Sequence, residues 1–433
     1  KKTGRPVLLR PTRSEEFYYG NGREGFQIRA KIGFREDGRI TAMDLYIVGD
    51  AGAYTGDALT GINMALESAS INYQPLAMRG RGIGVFMNTP KRWPLRGPGP
   101  TQIVLALEPL MDKAARQLRI DRVALRRVNP PGNDGKAGAH RTAVTSAYAK
   151  DALDKGAALF GWEEKKRLSG QKNGPRVTGV GVALSIMPTA AQSGFDGLLV
   201  IEPDGKVQIH QGMGNLGTFS YAGTARVAAE VLGVPWEKVE VLWGRTENNL
   251  PWNFGQFESN STYTEGRTNY VGAMNAKQKL QEIAAREFGG QSDEYDVGDE
   301  KVFRKANPRQ FLTLAQAAQR AIVLGGKYTG EELPQNLNPM TVAAAKALAG
   351  QGLMGVAKNT QPVGGTGPAF TAGFARVEVD TETGKVALVE YAAVNDCGTV
   401  VHPQSLQAQT RGGGVQGFGM AMSESYFYDR QYG

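Results

Sequence analysis

Alternation of apolar and polar positions marks three long two-stranded segments. They span residues 27–48, 198–210 and 374–394, and turn at Arg35-Glu36-Asp37-Gly38, Pro203-Asp204-Gly205 and Thr381-Glu382-Thr383-Gly384. In the third, Ala375, Val377 and Val379 alternate with Arg376, Glu378 and Asp380, the period of a half-buried strand. Asp-Gly and Thr-Gly supply the turn chemistry of hairpins. Each hairpin runs into a polar, glycine-bearing segment: Asp50-Ala51-Gly52-Ala53-Tyr54, Gly212-Met213-Gly214-Asn215-Leu216-Gly217-Thr218 and Asn395-Asp396-Cys397-Gly398-Thr399. Helical spacing appears at Leu107, Leu110, Met111, Ala114 and Leu118, with Pro109 expected in the first turn. A second helix is expected over 221–232, stopped by Gly233 and Pro235, and a third is marked by Val271, Met274, Leu280 and Ile283. Helices and hairpins mix throughout, which predicts an α+β fold of mixed sheets with packed helices. Residues 130–138 and 163–175 read as linkers, the latter placing a boundary between domains 1–165 and 166–433. Residues 288–308, acidic then basic, are expected as an exposed excursion.

Composition changes this picture in one respect. Hydrophobic (41%) and charged (21%) contents are ordinary for a globular chain, but 57 of the 433 residues are glycine, roughly double the usual share. Tight turns, or backbone lying close to a ligand, would account for the excess. No run of about 18 apolar residues occurs, so no membrane span is expected. The chain opens Lys1-Lys2-Thr3-Gly4 and shows no signal peptide; it reads as a processed or internal piece, with cytoplasm and periplasm both open. The lone Cys397 excludes an internal disulfide and a protein-held iron–sulfur cluster, and is expected as a small buried hydrophobe. His140, His210 and His402 lack metal-ligand spacing, so no protein metal ligand is expected. The net charge of +8 is dispersed, as in Lys165-Lys166-Arg167 beside Glu163-Glu164. It reads as solvated surface rather than a nucleic-acid interface, and is compatible with attraction for phosphates.

Two segments carry candidate chemistry. Asn88-Thr89-Pro90 precedes Leu95-Arg96-Gly97-Pro98-Gly99-Pro100-Thr101-Gln102, followed by Glu108 and Met111-Asp112-Lys113-Ala114. Taken alone, this is either an ordinary turn with a surface arginine or a guanidinium held to face a carbonyl or an anion. Ser259-Asn260-Ser261-Thr262 ahead of a helix is either a plain N-cap or an anion-binding helix start.

Together these segments resemble the large subunit of molybdenum hydroxylases of the xanthine oxidase/aldehyde oxidase family. There the first loop reads N-T-P, then F-R-G-P-G-x-P-Q, then E-x-x-M-D-x-A, with Leu95 here replacing the phenylalanine. The resemblance runs over nearly the whole chain. Gly4-Arg5-Pro6-Val7 with Thr12-Arg13-Ser14-Glu15-Glu16 is similar to G-R-P-V and T-R-x-E; Asp37-Gly38 and Gly52-Ala53-Tyr54 follow. Ala228-Ala229-Glu230-Val231-Leu232-Gly233-Val234-Pro235 is similar to A-A-E-x-L-G-V-P. Asp396-Cys397-Gly398, Pro403, Gln409, Gly412-Gly413 and Gln416-Gly417-Phe418-Gly419 resemble the late D-x-G, N-P, G-Q, G-G and Q-G-x-G series, with His402 a loop histidine in place of asparagine.

The resemblance implies the family's molybdenum cofactor-binding domain fold. It places Arg96 beside the active site as a catalytic residue, and Leu95 argues against xanthine itself as substrate. Many members carry D-x-G-Q-G-x-x-T at the 212–222 loop, where the glutamine contacts the oxygen ligands of the molybdenum centre. Asn215 matches the aspartate, Thr218 the glutamine and Phe219 the second glycine, so Thr218 is the expected catalytic hydrogen-bond donor. Ser259, Asn260, Ser261 and Thr262 match S-R-S-T, which holds cofactor phosphates. Gly97, Gly99, Asn215, Gly217, Phe219, Gln409, Gly413 and Gln416 complete the implied cofactor-binding set.

The implied cofactor is a molybdenum-pyranopterin in its cytidine dinucleotide form, bound through the pterin dithiolene. The implied reaction oxidises an aldehyde or an N-heterocycle, a small-molecule substrate, with water as oxygen source. Electrons would pass to an iron–sulfur partner subunit carrying 2Fe-2S, with FAD or haem in a flavin or cytochrome partner. The family's catalytic glutamate lies in G-x-G-E-x-G, a motif not present here, and Glu424 resembles a different position. The G-G-x-F-G loop that precedes G-R-P-V is also missing, so a fragment, or a further chain supplying both ends, is expected. The alternative is a cofactor-free binding or scaffold chain of the same fold.

Overall fold

A computed structural model describes the chain except residues 1, 2, 6, 21, 55–57, 93, 94, 190, 430, 432 and 433. Pro6 of the Gly4–Val7 landmark therefore lies outside the described residues. The chain forms two compact units. The first gathers Lys1–Pro188, Gly364–Gly398 and Thr410–Gly433, and the second Thr189–Val363 and Thr399–Gln409.

In the first unit the expected hairpin is present: Phe26–Phe34 pairs antiparallel with Ile40–Gly52, which pairs in parallel with Ala77–Phe86. Met43, Leu45 and Ile47 share the buried face of the middle strand and meet Ile62, Ala65 and Ala69 of the Ala58–Asn72 helix. A second sheet orders Val386–Asp396, Ala369–Asp380, Arg176–Met187 and the short strand Lys172–Asn173. Its core residues are Val182, Leu184, Phe370, Ala372 and Phe374. The buried face of Ala369–Asp380 thus has the parity opposite to the expected Ala375/Val377/Val379 stripe, which is only half-buried. Phe374 packs between Phe160 (centroids 5.6 Å apart) and Trp162 (5.9 Å), and that aromatic group fixes which face turns inward.

The Pro100–Leu118 helix starts well before the apolar stripe suggested. Pro100 stands at its first turn, where a missing N–H is harmless, and Gln102 Oε1 accepts from Gly99 N at 2.9 Å. Pro109 therefore sits inside the helix rather than in its first turn.

The second unit is built on a sheet in the order Val239–Leu242, Val207–His210, Asp196–Ile201, Leu353–Lys358. Asp196–Ile201 is buried at every position, between helices and other strands, so it shows no alternation. The Ser261–Phe288 helix lies on this sheet through Ala273, Ala276, Leu280, Ile283 and Ala284, whereas Met274 of the expected stripe is exposed. Ser220–Leu232 forms as expected and ends at Gly233 with φ 58°. Residues 288–308 are not a mere excursion. They carry most of an antiparallel meander, Tyr295–Gly298, Lys301–Arg304 and Asn307–Thr313, which sends Tyr295, Val302 and Leu312 into the core. Mixed sheets with packed helices, the expected α+β class, describe both units.

Candidate functional site

In the first unit the Arg96 loop is held from behind. Arg23, nearly buried, donates from Nη2 to Arg96 O at 2.9 Å and from Nη1 to Thr101 Oγ1 at 2.9 Å. Asp50 accepts from Arg92 Nε (2.9 Å) and Gly52 N (2.8 Å), and the Arg92 guanidinium lies over Tyr426 and Tyr428. Gly97 and Gly99 take φ of 73° and 84°, conformations glycine adopts freely. The exposed Arg96 side chain extends to the Pro403–Met422 helix, where a methyl added to Gly413 would stand 3.3 Å from Nη2. Arg96, Gly97, Gly99 and Gly413 are thus brought together, and the half-buried Gln416 lies one turn further along that helix. The rest of the motif is structural: Glu108 and Asp112 both ion-pair with Arg126, and Met111 and Ala114 fill the core.

In the second unit two loops meet. Asn215 Oδ1 accepts from the backbone N–H of Gly217 (3.0 Å), Thr218 (3.1 Å) and Phe219 (3.2 Å), so this side chain shapes its own loop. Phe219 stands ahead of the Ser220–Leu232 helix at φ 55° with its ring exposed, and Tyr221 stacks on Trp243 at 4.6 Å. The opposing loop runs into Ser261–Phe288. Gly212 makes the approach possible, since a methyl there would stand 2.2 Å from Pro251 O. Gln256 bridges the loops: its Nε2 donates to Thr218 Oγ1 at 2.7 Å and to Ser220 Oγ, while its Oε1 accepts from Leu216 N at 2.7 Å. Neither Gln256 nor Arg23 was singled out by the sequence, because no motif marks them and their partners are distant in the chain.

Asn260 is buried and caps the long helix only through its backbone, bonding instead to Gly255 O and Phe257 N. Ser261 is buried, while Ser259 and Thr262 are exposed. The helix starts at Phe219 and Asn260 have no side-chain cap, and uncapped helix starts offer N–H donors suited to anions. Gln409 is half-buried in the short 399–409 segment. His402 Nδ1 accepts from Ser405 N at 3.2 Å, and His210 is buried with its Nδ1 2.8 Å from Asn248 O. Cys397 is exposed, contrary to expectation. Among the described residues no group of three His, Cys, Asp or Glu side chains is placed to hold a metal ion, and no helix is long and apolar enough to cross a membrane.

Glu265, one turn into the long helix, braces the second loop by accepting from Asn253 Nδ2 at 2.7 Å. Burial pushes its pKa up to about 7, with Asn253 pulling the other way. Its pKa is raised on folding, so the folded state holds a proton that the unfolded state releases between the ordinary carboxylate value and about 7. Stability contributed here falls as pH rises through that window. Glu265→Gln is expected to remove this slope and to gain on the order of 3 kcal/mol at pH 8. Denaturant midpoints at pH 5 and pH 8 check it, and an unchanged slope would contradict it.

The chain matches the Molybdopterin cofactor-binding domain family twice, over residues 1–130 and 155–433. It is 26% identical to the Escherichia coli (strain K12) protein named "Probable hypoxanthine oxidase XdhD", covering 99% of this chain and 43% of that protein. It is 24% identical to the xanthine dehydrogenase molybdenum-binding subunit of Escherichia coli O157:H7, covering 100% and 55%. The fold resembles quinoline 2-oxidoreductase from Pseudomonas putida 86, with TM-score 0.80 at 22% identity over 97% of this chain and 53% of that one. The chain thus spans about half the length of the curated relatives it matches. With both family matches and the landmarks in order, the chain belongs to the molybdopterin cofactor-binding domain family, in the form carried by large subunits of the xanthine oxidase type.

Proposed function

We propose that the chain, as two cofactor-binding domains meeting near residues 165–166, holds a molybdenum-pyranopterin in cytidine dinucleotide form within a molybdenum hydroxylase. The substrate class is an aldehyde or an N-heterocycle, with water as oxygen source. Electrons leave to a 2Fe-2S subunit, and a flavin or haem subunit follows. The observation that carries this reading is the seating of the Arg96 guanidinium on the Gly412–Gly413 backbone, which joins two family landmarks far apart in sequence. Neutral hydroxyl, amide and helix-start N–H donors in the second unit fit an anionic dinucleotide without formal charge.

When bound, the molybdenum centre supplies the two-electron redox chemistry. The chain's residues bind and orient. Ser259, Ser261 and Thr262 offer hydroxyl and backbone donors to phosphates, Asn260 holds their loop, and Thr218 offers a hydroxyl at the loop facing Gln256. Gly97 and Gly99 shape the arginine loop in the first unit and Asn215 with Gly217 the loop in the second, while Gly413 seats the arginine, and Phe219 walls the substrate side. Gln409 and Gln416 contribute amides. Arg96 faces the substrate carbonyl or ring nitrogen and stabilises charge that develops there.

Arg96→Met is expected to lower kcat by about 10²- to 10³-fold, the scale of losing one oriented donor, with molybdenum per chain unchanged. Metal analysis beside steady-state kinetics checks this. Loss of molybdenum in the variant would reassign Arg96 to cofactor binding, and absence of molybdenum from the wild type grown on molybdate would sink the function itself.

A further inference from the structure

The Gln256 carboxamide has only one orientation open to it. Leu216 N–H is a donor, and it lies 2.7 Å from one end of the amide. That end must be the carbonyl oxygen, because an amide nitrogen there would set donor against donor. The nitrogen end therefore faces Thr218 Oγ1 at 2.7 Å and Ser220 Oγ, and each hydroxyl accepts one of its two hydrogens. The two hydroxyls also lie 2.8 Å apart. They own two hydrogens between them, and their mutual bond uses one. No acceptor for the other is present among the hydrogen bonds of the described residues. Thr218 is part-exposed and Ser220 nearly buried, so the remaining hydrogen points outward from Thr218 when Ser220 donates to it.

We propose that Gln256 is a positioning residue that turns the Thr218–Ser220 hydroxyl pair into an outward-facing hydrogen-bond donor for an oxygen acceptor of the bound cofactor or substrate. The inference rests on the cofactor-binding reading above and adds two residues to it. Gln256 polarises both hydroxyls by donating to them, which strengthens the hydrogen they can still give. The same amide ties Leu216, so it fixes the loop and the direction of the donor at once.

The test separates those two duties. In Gln256→Glu the introduced carboxylate still accepts from Leu216 N–H but can only accept from the hydroxyls, so it draws their hydrogens inward. Gln256→Ala removes both the tie and the polarity. In the holoenzyme, Gln256→Glu is expected to keep wild-type hydrogen exchange at Leu216 N–H while kcat/KM falls about 10- to 100-fold, the range of one hydrogen bond to a charged acceptor. Part of the loss should return as pH falls and the carboxyl gains a proton to donate. Molybdenum content identifies the acceptor: loss of metal assigns it to the cofactor, whereas full metal with altered kcat or KM assigns it to the substrate, and either supports the proposal. A molybdenum-loaded Gln256→Glu enzyme with wild-type kcat, KM and pH profile overturns it and leaves Gln256 a loop tie only. A wild type devoid of molybdenum overturns instead the reading on which it rests.

Discussion

Arg126→Met is expected to lower the unfolding free energy by about 3–5 kcal/mol, the penalty for stranding the partner of a buried ion pair. Arg126 has no exposed surface; its Nε donates to Glu108 at 2.7 Å and its Nη1 to Arg122 O at 3.1 Å. Nη2 lies 2.7 Å from Asp112 Oδ1, an ion pair out of line for a hydrogen bond, and donates to Glu108 O at 3.2 Å. Glu108 in turn accepts from Tyr73 Oη and from Leu184 N, so its carboxylate joins the Arg122–Arg127 helix, the Arg176–Met187 strand and Tyr73, just past the Ala58–Asn72 helix. Burial disfavours the Arg126 charge, yet Glu108, Tyr73 and Asp112 outweigh it and raise its pKa. Without the guanidinium, Glu108 keeps its desolvation and loses its counter-charge. Adding Glu108→Gln to Arg126→Met should recover part of the loss, because a neutral amide needs no counter-charge. Chemical denaturation of the single and double variants checks both statements; a double variant no more stable than the single one would refute the charge argument.

Gly99→Ala is expected to lower stability by about 2–5 kcal/mol, combining left-handed backbone with overpacking. At φ 84° and ψ −59° the added methyl would stand 2.2 Å from Gly61 O and 2.7 Å from Ala65 N. Both are backbone atoms of the Ala58–Asn72 helix and have no rotamer by which to withdraw. Gly97→Ala is the internal control: φ is also positive at 73°, but the obstruction is the Thr101 methyl, a side-chain end. Its loss should be about 1–2 kcal/mol. Because Gly99 sets the distance between the Arg96 loop and its supporting helix, Gly99→Ala should also reduce turnover more than Gly97→Ala. Thermal midpoints and kinetics of the two variants check the ranking, and equal losses would refute it.

Local chemistry was legible in the sequence where one turn or one periodicity decided it. The Asp-Gly and Thr-Gly turns placed the hairpins, and Gly233 placed the end of Ser220–Leu232. The start of Pro100–Leu118 was hidden because its first turns carry Pro100, Thr101 and Gln102 rather than an apolar stripe. The 295–313 meander was hidden because few of its residues turn inward: Tyr295, Val297, Val302 and Leu312 are buried, among outward residues that include Asp296, Lys301, Arg304 and Arg309. Arg96 and Thr218 stand out in the sequence as candidates through motif alone. Gln256 and Arg23 act across the fold on loops far from them in sequence, and periodicity carries no information about such pairings.

The broken composition of the first unit has a consequence for synthesis on the ribosome. Its core takes Phe370, Ala372 and Phe374 from a strand that pairs along the full length of Arg176–Met187. That strand emerges only after all of Thr189–Val363 has been made. Until then Val180, Val182, Leu184 and Phe160 lack their partner, and Arg176–Met187 presents a long apolar edge. The nascent protein must therefore make the whole 189–363 stretch while the earlier unit waits open. An unpaired apolar edge that persists through that interval is a hazard for aggregation during synthesis.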